Sequence, residues 1–69
     1  MQLSTRNQIA GTVTEVVRDG VVAAVKVELG SGETITAVVT TEAVDELALS
    51  GGAAVKVLVK ATEVMLAVD

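Results

Sequence analysis

Apolar and polar residues alternate along most of this 69-residue chain, and the alternation restarts after each glycine-bearing turn. A period of two sets one face of a strand against a core and the other toward water. The first predicted strand covers residues 7–18. Its parity slips, because Val13 is followed by the adjacent pair Val16-Val17. One extra residue in a strand restores parity, so the slip predicts a β-bulge or a strong bend. Asp19-Gly20 is a tight-turn signal. The second predicted strand, residues 21–29, places Val21, Ala23, Val25, Val27 and Leu29 on one face and Lys26 and Glu28 on the other. Gly30-Ser31-Gly32 makes the next turn. The third strand, residues 33–39, sets Ile35, Ala37 and Val39 against Thr34, Thr36 and Val38.

The period then changes. Residues 40–49 read as a short helix, with a threonine N-cap and acidic residues in the first turn where the helix dipole favours them. Val44, Leu47 and Ala48 share one helical face, and Ser50-Gly51-Gly52 supplies the terminating glycine signal. A fourth strand over residues 53–61 alternates Val55, Val57 and Val59 with Lys56, Leu58 and Lys60. A fifth over residues 63–68 carries Val64, Leu66 and Val68 on one face. The predicted fold class is all-β with one short helix, an OB-like five-stranded barrel in the order β-β-β-α-β-β. Proline is absent and no internal repeat or low-complexity stretch occurs, so residues 1–69 are read as a single domain.

Composition adds a constraint. Hydrophobic residues make up 51% of the chain, yet Phe, Tyr and Trp are all missing. A domain of this size buries only roughly 60% of its unfolded surface. Small domains compensate with disulfides, metals or oligomerisation. With no Cys and no His, disulfides, thiolate zinc sites and imidazole sites are unavailable. Oligomerisation is the compensation left, through a wide aliphatic interface between copies of the chain.

The net charge of −4 argues against nucleic acid, since the five basic residues Arg6, Arg18, Lys26, Lys56 and Lys60 do not cluster in sequence. No apolar run approaches the roughly 20 residues that span a bilayer, so no membrane role is expected. The opening residues lack the apolar core of a signal peptide. A cytoplasmic location is the expectation.

Catalysis finds little to work with. General acid–base histidine and nucleophilic cysteine are absent, and the carboxylates read as a solvated face. No acidic loop has the spacing of a calcium or magnesium site. The chain is therefore not expected to be an enzyme. Three features could instead bind an anion. Ser4-Thr5-Arg6-Asn7 groups two hydroxyls, a guanidinium and an amide, all hydrogen-bond donors; it could equally be an ordinary polar terminus. Lys60, at the end of an apolar strand beside the Ala61 and Thr62 amides, could meet the same anion or simply face solvent. Thr40-Thr41 opens the helix, where free N–H groups attract anions, or where a threonine merely caps.

Taken together, these segments resemble a known family. Residues 4–13, Ser-Thr-Arg-Asn-Gln-Ile-Ala-Gly-Thr-Val, are similar to the S-A-R-N-x-x-x-G-x-V opening of the molybdate-binding Mop domains. Residues 35–40 resemble their third strand. Residues 59–67, Val-Lys-Ala-Thr-Glu-Val-Met-Leu-Ala, are similar to their I-K-A-T-E-V-M-I-A ending. The match runs through essentially the whole chain, and a free-standing chain of this size resembles a molbindin, a Mop domain alone.

The resemblance implies an OB-like barrel that assembles as a hexamer, a trimer of dimers, and holds molybdate or tungstate between subunits for intracellular storage and homeostasis. It implies no cofactor and no direct metal ligand, since the oxyanion is held by hydrogen bonds. Carried over, the site is Ser4, Thr5, Arg6, Lys60 and Ala61, with Thr40 reaching in across the interface. Ser31 and Ser50 are candidates for a second class of sites near the threefold axis. Two departures stand out: Thr5 where the family often has Ala, and a Ser50-Gly51-Gly52 loop less charged than usual. The alternative is a structural or regulatory accessory module that kept the barrel without the ion.

Overall fold

The computed structural model of the protein describes residues 4–69; residues 1–3, which entered the signal-peptide reading, lie outside the described residues. The elements are β1 (Asn7–Asp19), β2 (Val22–Leu29), β3 (Thr34–Thr40), α1 (Thr41–Glu46), β4 (Ala54–Val59) and a 3₁₀ turn η1 (Ala61–Glu63). The four strands form one antiparallel sheet in the order β3-β2-β1-β4. The sheet curls into half a barrel, so the protein is mostly β with one short helix, close to the expected OB-like fold.

The parity slip in the first strand has its physical cause. Val13 pairs with Val27, but Glu15 pairs with Lys26, so Thr14 is the extra residue of a bulge. Its hydroxyl donates to the Lys26 carbonyl at 3.3 Å. The bulge turns Val13 and Val16 inward together and leaves Val17 outside. Val13, Ala23, Val25, Val27 and Val44 are buried, with Val16, Leu29, Val39, Leu49, Val55 and Val57 among the residues packed around them. The β1–β2 turn has Gly20 at φ 65° as its first central residue, the position where a type II′ hairpin needs glycine. Val21 sits in that turn and is exposed, outside the buried face assigned to it from alternation.

Two expectations are corrected. The helix ends at Glu46, well before Ser50-Gly51-Gly52. The left-handed residue that stops it is Ala48, at φ 51°. The amide of Ala48 donates to the Asp45 carbonyl and that of Leu49 to the Val44 carbonyl, the paired bonds of a Schellman ending. Leu47 is consequently 68% exposed, and of the expected helical face Val44 alone reaches the core.

The fifth strand does not form. Residues 61–63 turn, and residues 64–69 carry no regular structure. An alternating segment becomes a strand only where a neighbouring edge supplies its ladder of hydrogen bonds. Here η1 takes the chain away from β4 and sets the segment beside no strand of the same chain. Met65, Leu66 and Val68 are 91%, 93% and 97% exposed. Between the β3 and β4 edges an apolar trough of about 270 Å³ stays open, lined by Val25, Ala37, Val39, Leu49, Val55 and Val57 among others.

Gly11 shows how closely β1 and β2 approach. A methyl group there would lie 2.5 Å from Val27 Cγ1 and 3.0 Å from the Glu28 carbonyl oxygen. Overpacking of this kind costs about 1–3 kcal/mol. Gly11→Ala is therefore expected to lower the thermal midpoint by several degrees at fixed protein concentration, read by circular dichroism; an unchanged midpoint would contradict the close approach.

Candidate functional site

The register of β1 against β4 builds one corner of the molecule. Pairing runs from Thr12 opposite Ala54 to Asn7 opposite Val59. The chain just before Asn7 and the chain just after Val59 therefore leave the same end of the ribbon. Ser4, Thr5 and Arg6 lie on one arm, and Lys60 and Ala61 on the other. The register thus places Ser4–Arg6 and Lys60–Ala61 beside the same end of the β1–β4 ribbon.

Side-chain bonds hold each arm. Asn7 Nδ2 donates to the Val59 carbonyl at 3.0 Å across 52 residues of sequence. Gln8 Nε2 donates to the Thr5 carbonyl at 3.0 Å and so bends the first arm. On the second arm, the Glu63 amide donates to the Lys60 carbonyl at 2.9 Å, closing the 3₁₀ turn. The amides at the start of such a turn have no partner within it and point outward as donors. Sequence reasoning missed Asn7 and Gln8 as fasteners, because side-chain bonds to a distant backbone leave no periodic trace.

Thr40 lies elsewhere. It pairs with Val22, which pairs in turn with Asp19 at the other end of β1. In one chain Thr40 cannot join the Arg6–Lys60 corner. Its oxygen accepts from the Ala43 amide at 3.0 Å, so it is the N-cap of α1. A hydroxyl that accepts in this way still has its own proton to donate. Thr41 fastens this end: its amide donates to the Val21 carbonyl at 2.9 Å, and its hydroxyl lies 3.2 Å from the Gly20 carbonyl. An exposed ion pair, Arg18 to Asp45 at 2.8 Å, also joins β1 to α1.

The charge pattern distinguishes the two ends. Arg6 and Lys60 carry positive charge at the first, and among the described residues neither makes an ion pair. Glu42, Asp45 and Glu46 lie on α1 at the second. Ser4, Arg6, Lys60 and Ala61 are exposed and Thr5 is half-buried. The corner thus carries hydroxyls, a guanidinium, an ammonium and backbone amides, all able to donate hydrogen bonds. No group of three or more His, Cys, Asp or Glu side chains suited to a metal ion occurs among the described residues. Ser31 lies within 3.5 Å of Glu33 Oε1 in the β2–β3 turn, and the Ser50 carbonyl accepts from the Ala53 amide, each remote in sequence from the corner. No helix among the described residues is long and apolar enough to cross a membrane.

Residues 3–66 match the TOBE domain family. The chain is 36% identical over 66 residues to molybdenum-pterin-binding protein 2 of Clostridium pasteurianum, spanning 96% of this chain and 97% of that protein. Its fold is similar to that of a molybdate-binding protein from Sporomusa ovata, with a TM-score of 0.92, 36% identity, and 97% and 98% of the two chains covered. It is also similar to the cytoplasmic molybdate-binding protein ModG, solved with molybdate bound. There the TM-score is 0.85 and identity 43%, over 88% of this chain but 43% of that one.

The capping role of Thr40 can be checked by stability measurements. Loss of an N-cap hydroxyl costs about 1 kcal/mol. Thr40→Ala is expected to lower stability to denaturant by that amount, and Thr40→Ser to retain most of it.

Proposed function

Since this chain belongs to the TOBE domain family, and within it to the Mop-type molbindins, we propose that it binds molybdate or tungstate at subunit interfaces and so stores and buffers the metal inside the cytoplasm. It acts by binding, with no catalysis. The observation that carries the reading is the convergence of Ser4, Thr5 and Arg6 with Lys60 and Ala61 at one ribbon end.

The chemistry of the ion suits that corner. Molybdate is a tetrahedral dianion with four acceptor oxygens, so it asks for many donors and few acceptors. Arg6 contributes up to five N–H donors and Lys60 three. Two full positive charges, supplemented by hydroxyl and amide dipoles, balance a dianion on a chain of net charge −4. Thr5 adds a hydroxyl where the family often has none.

One chain supplies only half a cage, because the corner is open to solvent on its far side. A second copy related by a twofold axis would bring its Thr40 end to this Arg6–Lys60 corner. An isologous contact works in both directions, so each dimer would hold two equivalent ions of this kind. Three such dimers make the hexamer. The exposed segment 64–69 then has a role: it supplies the missing fifth strand by covering the open trough of a neighbouring copy. The folded chain's accessible surface of 5335 Å² supports this. A compact monomer of 7.0 kDa would expose only about 4,000 Å².

Titration calorimetry with sodium molybdate tests the binding. Saturable heat is expected from the assembled protein. Arg6→Ala and Lys60→Ala should each weaken binding by roughly tenfold or more, as for loss of a charged hydrogen bond, with the oligomer intact by light scattering. No heat from correctly assembled protein would favour the accessory-module reading, and normal binding by both variants would misplace the site. Removing residues 64–69 is expected to shift the light-scattering mass down from about 42 kDa, six copies of the 7.0 kDa chain. An unchanged hexamer would sink the shared barrel.

A further inference from the structure

We propose that Asn7 is a positioning residue for the oxyanion site: its carboxamide fixes the backbone that presents Lys60. The proposal rests on the reading that the Arg6–Lys60 corner binds molybdate.

Asn7 and Val59 form the last pair of the β1–β4 ladder. Ribbon ends fray, since no further rung holds them. The bond from Asn7 Nδ2 to the Val59 carbonyl, 3.0 Å long and part-buried, adds a rung made by a side chain at that point. The Val59 carbonyl belongs to the same planar peptide as the Lys60 nitrogen. Holding the carbonyl therefore sets the direction of the Lys60 N–H, which points the opposite way across a trans peptide. The next peptide is held too, because the Lys60 carbonyl accepts from Glu63 at 2.9 Å. With both flanking peptides held, Lys60 keeps φ −64° and ψ 130°, and its Cα–Cβ direction is set.

This matters because a lysine stem is flexible. A four-carbon chain can place its ammonium in many positions, and each extra one dilutes the binding-competent geometry. Anchoring its base reduces that number before the ion arrives. Asn serves where Asp would not, for it donates to a carbonyl and brings no negative charge beside a dianion. Asn7 also directly follows Arg6, so one residue couples the two cationic arms.

The test is a coupling measurement on the full chain, by calorimetry with sodium molybdate. It compares the unaltered protein with Asn7→Leu, Lys60→Gln and the double variant. Asn7→Leu keeps the approximate size, loses the donor and adds no charge. It is expected to weaken binding by about fivefold, the dilution of the competent geometry that follows when a restraint of about 1 kcal/mol is lost. In the Lys60→Gln background the same change should cost less than about twofold, because its effect passes through Lys60. A residue with a purely structural role would lower the thermal midpoint and leave affinity alone. One touching the ion itself would give losses that multiply. Either result overturns the proposal. If Asn7→Leu loses its oligomer, Asn7→Ser takes its place with the same expected coupling. Absence of heat from the unaltered protein overturns the molybdate reading instead, and the two failures are thus distinguishable.

Discussion

The structure depends on burying aliphatic side chains with too little chain to do it. Among the described residues the core and the side chains packed on it are Val, Ala and Leu, and five residues are buried at the centre of the curled sheet. At about 25 cal/mol for each Å² of apolar surface, such a core stabilises only modestly against the entropy of ordering the chain. The bulge at Thr14 and the close approach at Gly11 both serve this constraint. One swings Val13 and Val16 inward together, and the other lets β1 and β2 close over Val27. The open trough and the bare segment 64–69 are the remainder that a single copy leaves uncovered.

The same shortage shapes the proposed site. Among the described residues of this half-barrel no polar side chain is buried. Its donors stand at two ends of one long strand, Arg6 and Lys60 at the first and Thr40 at the second. Under the proposed assembly, the contact that covers the apolar surface also completes the anion cage. Assembly and binding then share one interface, and the strong charges can remain solvated until a partner arrives. Leaving them at the surface avoids the cost of burying unpaired cations in the protomer.

Much of this was legible in the residues. Alternation located four strands to within a residue or two, and the clash between Val13 and Val16-Val17 located the bulge. The Thr40 cap was also readable, because N-caps are local chemistry. The helix end was not, since Ala48 adopts a left-handed conformation that glycine would ordinarily take. Nor was the fate of residues 63–68. Their alternation is that of a strand, but alternation records a two-faced environment and does not say which chain supplies the neighbour. At the candidate corner, the residue types were visible in sequence, whereas the register joining Arg6 to Lys60 and the bonds from Asn7 and Gln8 are three-dimensional facts.

In the proposed function the ion belongs to the assembly and not to the single chain. Native mass spectrometry of the protein with molybdate added in steps tests it most directly, because mass separates monomer, dimer and hexamer while counting ions on each. Molybdate is expected on dimers and hexamers, in numbers that rise by two per dimer, with none retained on monomers. A monomer that retains molybdate as well as the hexamer does, or a hexamer that retains none, would contradict it.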